Sequence, residues 1–275
     1  MTTETKLPIW KIAAQEDEFI WYLGYGSNMK ASAMRDRKIT PVETRIVNVP
    51  THYVTFDVFG IPYSEPCYAS IEELPNGGTG KLQLVHGDQQ MPVPSLCGLA
   101  HLLSTVEFHQ LLVTEGSGVV YDIVKVQAYQ INESHKISSE PFDVYTLKAK
   151  WPLRPNGTPS ARYVNLFLYG AIENNLPSEY IQYLESFPRY HKIEGRDRTY
   201  GQLVFDAGWR PFLKRLVRLT TWRVDADGNC PAFVALIIVW AYRLMWLYHD
   251  YVHQYILGTG DGGKILWKQL ENREM

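Results

Sequence analysis

The octapeptide Tyr22-Leu-Gly-Tyr-Gly-Ser-Asn-Met29 constrains this chain more than any other stretch. The apolar run Phe19 to Leu23 predicts a short buried strand, and residues Asn28 to Arg37 predict a helix. Gly24 and Gly26 break the chain between them. A strand that passes through a glycine turn into a helix start leaves backbone N–H groups unpaired, and glycine lets a ligand approach the main chain closely. Such a turn suits a carboxylate or a polarised carbonyl oxygen. It also suits a plain strand-to-helix connection with Ser27 or Asn28 as N-cap. Function therefore requires a chemical partner elsewhere.

Composition narrows the classes. A chain of 275 residues buries a substantial core as one large domain, or one domain with an appendage. Its formal net charge of -2 gives no global field toward nucleic acid. Cys67, Cys97 and Cys230 are far apart and form no C-x-x-C, which argues for a reducing compartment and against a disulfide framework or a structural zinc knuckle. The first residues show no basic stretch followed by an apolar one, so a cytoplasmic location is expected.

Residues 1–18 read as a loosely held arm. Thr44 to Val49, Tyr53 to Phe59, Pro66 to Ile71 and Leu96 to Leu103 read as strands, whereas residues 75–95, with Asn76-Gly-Gly-Thr-Gly80, Pro92 and Pro94, read as loop. Ser104-Thr-Val-Glu107 is a capping-box pattern that starts a helix running to about Thr114. Tyr121 to Ile131 alternates as a long strand, with Asp143 to Ala149 its expected hairpin partner across a turn at Ser138-Ser-Glu-Pro141. Tyr163 to Leu168 reads as a strand and Glu179 to Phe187 as a helix. Beyond Pro188, cations (Arg210, Lys214, Arg215, Arg218, Arg223) interleave with Trp209, Phe212, Leu213, Leu216 and Trp222, before an apolar run from Ala232 to Tyr242. A boundary near residue 195 divides arm (1–18), main domain (19–195) and C-terminal extension (196–275).

Glu115 is the sharpest chemical signal. The apolar face of the Ser104 helix is Phe108, Leu111 and Leu112, and position 115 continues that stripe. A carboxylate there, at a helix C-terminus, is disfavoured as the anion by desolvation and by the helix dipole, which suits proton transfer near neutral pH. The alternative is a glutamate that turns into solvent at the helix end or pairs with an arginine.

Tyr25-Gly-Ser-Asn28, Glu115-Gly116 after a helix, and Tyr163 ahead of Tyr169-Gly-Ala-Ile-Glu-Asn-Asn-Leu-Pro177 occur in that order. In this the chain resembles the γ-glutamylcyclotransferases over roughly residues 19–190. The resemblance implies an α+β fold, a mixed β-barrel with flanking helices, here followed by a helical C-terminal extension. It implies attack of the α-amine of a γ-glutamyl group on its own γ-carbonyl, releasing 5-oxoproline, with Glu115 as base and then acid. It further implies backbone donors at Tyr25, Gly26, Ser27, Asn28 and Met29, and a pocket walled by Tyr121 and Tyr163. No metal or organic cofactor is implied, and the expected partner is a γ-glutamyl small molecule. The length and aromatic texture of the extension resemble fungal members that act on glutathione conjugates in epipolythiodioxopiperazine toxin pathways, more than the short animal enzymes.

Two rivals come from the extension. His249 and His253 stand at i, i+4 with Asp250 between them, the spacing of zinc-hydrolase helices. The segment Pro231 to Tyr251 reads either as a helix buried on the barrel or as part of a peripheral membrane contact through 210–251, with the cations of 210–223 toward anionic lipid and Trp240, Trp246 and Tyr248 at headgroup level. The anchor would make the chain a membrane-associated enzyme, or an adaptor with a non-catalytic barrel. The sequence leaves a homodimer open.

Overall fold

Five strands hydrogen-bond into a closed ring in the computed structural model, which describes residues 6–7, 18–86, 88–115, 119–153, 156–195, 198–221 and 230–270. In chain order the first elements are β1 (Lys6–Leu7), β2 (Phe19–Gly24), a 3₁₀ turn (Ser27–Met29), α1 (Ala31–Asp36), β3 (Glu43–Val49), β4 (His52–Ile61) and β5 (Glu65–Glu73). Next come β6 (Leu82–His86), β7 (Gln89–Pro92), β8 (Leu96–Ser104), α2 (Thr105–Thr114), β9 (Tyr121–Ile131), β10 (Ile137–Ala149) and β11 (Asn156–Gly157). The rest are α3 (Ala161–Glu173), α4 (Ser178–Glu185), α5 (Tyr200–Thr221), α6 (Ala232–Tyr248), a π turn (His249–His253), α7 (Gln254–Leu257) and β12 (Lys264–Gln269).

The ring runs β9, β10, β2, β8, β3 and back to β9. Only the β10–β2 pair is parallel, so the barrel is mixed as the sequence implied. Successive side chains of β2 enter different clusters. Ile20 and Tyr22 pack with Phe108, Leu111 and Leu112 of α2, whereas Leu23 joins Val47, Leu99, Val124 and Val144. This is the two-residue period of a strand buried on both faces. Helix α2 begins as expected: Ser104 Oγ accepts from Glu107 N–H at 3.3 Å and the Glu107 carboxylate accepts from Ser104 N–H at 3.2 Å.

Three readings are corrected. Tyr163 to Leu168 is helical, inside α3, because Ser160 Oγ caps that helix by accepting from Tyr163 N–H at 3.0 Å. Val164, Phe167 and Ala171 are its buried face, a helical spacing that outweighs the local β-branched and aromatic content. Residues 75–95 are not plain loop. They contain β6 and β7, and β6 pairs with β12, a partner almost two hundred residues away that local pattern cannot reveal. The β9–β10 turn lies at 132–136, where Asn132 Oδ1 accepts from the amides of Ser134 and Lys136, rather than at 138–141. The arm lies almost wholly outside the described residues, but Lys6–Leu7 pairs with β9. Gly116, Gly118, Trp222 and Arg223 also lie outside them.

The extension is helical but not free-standing. Phe205 and Leu213 of α5 and Val239, Met245 and Trp246 of α6 share a core with Phe59 and Tyr63 of the β4–β5 hairpin. Trp246 Nε1–H donates to Gly60 C=O at 3.0 Å, and Gly260 N–H donates to His249 Nε2 at 3.1 Å. Strand β12 then returns to complete the sheet β11-β12-β6-β7.

Candidate active site

The 3₁₀ turn after β2 is the floor of the site. Its first internal hydrogen bond runs from Met29 N–H to Gly26 C=O at 3.0 Å. The amides of Gly26, Ser27 and Asn28 precede that bond and have no acceptor within the turn. Met29 departs from the expected donor set, since its amide is spent internally and its side chain is core. Tyr25 anchors the turn through its hydroxyl, which donates to Leu147 C=O at 2.7 Å.

Helix α3 braces this turn from behind. Asn174 Nδ2–H donates to Met29 C=O at 3.0 Å and to Gly170 C=O at 2.8 Å. A Cβ on Gly170 would lie 2.8 Å from Met29 Cβ and 3.2 Å from Lys30 N, so only glycine allows the helix this close. On the other side, the neutral imidazole of His101 donates from Nε2 to Asn28 C=O at 3.3 Å, while its Nδ1 accepts from Thr44 Oγ1 at 3.0 Å. Burial pulls the His101 pKa down to about 4, against a partial upward pull from the Asn28 carbonyl.

Glu115 is the C-cap of α2, and its side chain is 20% exposed. Its Oε1 accepts from Asn28 Nδ2 at 3.4 Å and forms an ion pair with Arg37 Nη2. Of the alternatives weighed from sequence, the arginine pair is therefore realised. Oε2 has no hydrogen bond among the described residues. Arg37 is itself held by its Nη1 donation to Ala33 C=O at 2.9 Å and by Gln110 Nε2, which donates to Arg37 C=O at 2.8 Å. Asn28 Nδ2 also donates to Tyr22 Oη at 2.9 Å, and Asn28 Oδ1 is buried with no partner among the described residues. A buried orphan acceptor costs about 1–3 kcal/mol and is a place a ligand N–H would satisfy.

Tyr121 and Tyr163 meet at one backbone residue. Tyr121 donates its hydroxyl proton to Ala69 C=O at 3.0 Å, whereas Tyr163 Oη accepts from Ala69 N–H at 3.3 Å and keeps its own proton. Tyr163 is fixed by aromatic edges, with Phe167 at 5.1 Å and Tyr68 at 5.3 Å between centroids. Burial, with the Glu115 charge adding to it, holds the hydroxyls of Tyr22, Tyr25, Tyr121 and Tyr163 above the ordinary tyrosine range. They are neutral phenols at any physiological pH.

Tyr25, Gly26, Ser27, Asn28, Glu115, Tyr121 and Tyr163 line a single recess of about 30 Å³, and Met29 does not. Ser27, Glu115, Tyr121 and Tyr163 also line a larger cleft of about 680 Å³. Val58, Phe59 and Tyr68 of the β4–β5 hairpin and extension residues Val217, Ile238 and Tyr242 wall that cleft. Sequence reasoning missed Arg37, His101, Gly170 and Asn174 as parts of the site. Gly170 and Asn174 lie in the conspicuous Tyr169–Pro177 segment, but nothing in sequence marks Arg37 or His101.

The zinc reading fails on its donors. His249 gives Nδ1–H to Asp250 at 2.8 Å and accepts at Nε2 from Gly260. His253 gives Nε2–H to Gly201 C=O at 3.0 Å and faces Tyr248 Oη at 3.3 Å with Nδ1. All four ring nitrogens are engaged inside a buried π turn.

One carboxylate, one orphan amide acceptor and a strand-to-helix turn thus meet at a recess on a small mixed barrel. The chain belongs to the γ-glutamyl cyclotransferase family. It is 60% identical over 183 residues to the γ-glutamyl cyclotransferase verK of Clonostachys rogersoniana, a match spanning 66% of this chain and 100% of that one. It is 40% identical over 257 residues to the γ-glutamyl cyclotransferase gliK of Aspergillus fumigatus, spanning 93% and 94%. Residues 196–256 match the family described as the AclK C-terminal domain. A solved structure titled γ-glutamyl cyclotransferase is similar at a TM-score of 0.48 and 18% identity, over 70% of this chain and 100% of that one.

Two outcomes are expected. Alanine at 170 gains about 1 kcal/mol of helix propensity, but the clash with Met29 costs about 1–3 kcal/mol. G170A should therefore unfold at lower temperature, whereas G208A, on the same kind of backbone with no atom within 4 Å of its Cβ, should not. Equal melting temperatures for the two would remove the brace. The second concerns pH. His101 titrates near 4 folded and near 6.5 unfolded, so the unfolded chain binds more protons between those values. Its contribution is complete above pH 6.5 and is lost as pH falls to 4, about 3 kcal/mol in all. Unfolding free energies from denaturant titrations should fall between pH 6.5 and pH 4 by about 3 kcal/mol more in the wild type than in H101Q, and equal falls would refute it.

Proposed function

We propose that this chain is a γ-glutamyl cyclotransferase that releases 5-oxoproline from bulky γ-glutamyl conjugates of the glutathione type, in fungal epipolythiodioxopiperazine toxin biosynthesis. The observation that carries the reading is the convergence of Glu115, Asn28, Tyr121, Tyr163 and the Gly26–Asn28 turn on one recess. In the proposed reaction Asn28 Oδ1 accepts from the substrate α-amino group, and Glu115 takes one of its protons through Oε2. The amine nitrogen bonds to the γ-carbonyl carbon, closing a five-membered ring. The carbonyl oxygen becomes an oxyanion held by the turn amides, with Tyr163 available as a further donor. Glu115 returns its proton to the leaving nitrogen as the original amide bond breaks. Nucleophile and electrophile share one molecule, which supplies much of the roughly 7–11 kcal/mol available from orientation. The protein supplies the fold of the substrate, the proton and the cradle.

The preference for a bulky conjugate is supported by the apolar cleft that adjoins the recess and is walled partly by the extension. E115Q should lose at least about a thousandfold in 5-oxoproline release while its melting temperature holds. Wild-type turnover by E115Q would end the assignment, and a wild-type preference for γ-glutamyl-alanine over a bulky S-conjugate of glutathione would end the conjugate reading.

A second reading concerns location. The segment Ala232–Leu257 is long and apolar enough to cross a membrane, but 44% of its most apolar window is buried in the protein. Val234, Ile238, Ala241 and Met245 face inward, whereas Phe233, Ile237, Trp240, Leu244, Tyr251 and Tyr255 are exposed along one stripe. Exposed apolar stripes of this extent on soluble proteins mark interaction surfaces. The proposal is a cytoplasmic chain whose stripe rests on an anionic membrane surface, with Arg243 exposed over the Trp240 ring at 5.5 Å. The full chain should sediment with phosphatidylserine vesicles and W240E/L244E should not. A chain that stays free of vesicles, or a dimer that buries the stripe, would overturn this.

A further inference from the structure

Helix α5 carries a feature that the proposed reaction does not use. Arg210, Lys214 and Arg218 recur every four residues and so lie on one helix face. That face is fixed, because Leu213 and Phe205 of the same helix are buried in the core shared with the β4–β5 hairpin. Arg210 is partly neutralised by Asp206 at 3.6 Å and donates to Ser64 Oγ at 2.9 Å. Lys214 and Arg218 are exposed and have no ion-pair partner among the described residues. Like charges four apart repel one another along a helix, and an anion between them would relieve that repulsion.

The three cations line a groove of about 470 Å³ together with Ile61, Val217 and Tyr242. Val217 and Tyr242 also wall the large cleft that holds Glu115. The cationic groove thus adjoins the cleft across Val217 and Tyr242, on the side of it built by the extension. A ligand with its γ-glutamyl head at the recess would cross an apolar stretch before reaching these charges.

We propose that this groove is a distal carboxylate subsite. The substrates it selects are conjugates whose leaving portion carries a free carboxylate on the far side of an apolar body. This rests on the cyclotransferase reading above and narrows its substrate class. The electrostatic contribution acts mainly on substrate binding, because the anion is remote from the reacting carbonyl and its charge does not change during ring closure.

The test uses two glutathione S-conjugates with the same biphenyl body, one ending in a carboxylate and the other in a carboxamide. The wild-type full chain should favour the acid by about tenfold or more in kcat/KM, expressed in KM, with a preference that shrinks as salt rises. K214E/R218E, at two exposed positions, should abolish or invert that preference. Equal use of acid and amide by the wild type, or a preference unchanged in the variant, would overturn the subsite. If neither conjugate yields 5-oxoproline, the cyclotransferase reading falls on its own. The subsite is then decided by calorimetric titration of both conjugates, where acid-selective binding lost in K214E/R218E supports it and unselective or absent binding overturns it.

Discussion

The contact between α3 and the 3₁₀ turn governs the site. Asn174 holds the carbonyl of Met29, and Gly170 removes the side chain that would keep the two backbones apart. A tight turn with open amides is entropically expensive and leaves polar groups to solvent, so it does not persist unless its surroundings fix it. Helix α3 does this from behind, His101 from the β8 side, and Tyr25 through its bond to β10. The two segments that stand out in the sequence, Tyr22–Met29 and Tyr169–Pro177, are thus the two sides of one joint. The same helix also carries Tyr163, so the floor and one wall of the recess share a rigid element.

Charge in the recess is arranged around a single carboxylate. The tyrosines about it are held as neutral phenols, and His101 behind the turn is held as a neutral imidazole. The two oxygens of Glu115 have different surroundings. Arg37 and Asn28 hold Oε1, which fixes the carboxylate at the edge of the recess while leaving Oε2 unengaged among the described residues. In the proposed cyclisation this division separates orientation from proton transfer, since the oxygen that exchanges protons is not the one that positions the group.

The extension alters the site without adding a reacting group. Its helices share the hairpin core at Phe59 and Tyr63, and one side of the large cleft is made of Val217, Ile238 and Tyr242. A barrel alone would leave that side open to solvent. The recess would be unchanged, but what lies beyond it would be water rather than an apolar wall, and the leaving portion of a substrate would lose its contacts. The recess is thus lined by residues of the main domain alone, and the larger cleft by residues of both the main domain and the extension.

Local patterns carried far. The capping box at Ser104, the alternation of β9, the glycine turn after β2 and the position of Glu115 at the end of α2 are all legible from residue types within a few positions, because each is decided by backbone hydrogen bonds of short range. Where local content and period disagreed, as at Tyr163 to Leu168, the helical burial of Val164, Phe167 and Ala171 prevailed, and that is settled only by what lies opposite. The pairing of β6 with β12, the approach of Arg37 to Glu115 and the support of Asn28 by His101 join residues roughly seventy to nearly two hundred positions apart. Sequence alone determined which groups were available and which short elements would bear them. The tertiary structure decided which of those groups meet, because contacts between distant segments are set by the packing of whole elements, and no pattern within a single segment encodes its partner.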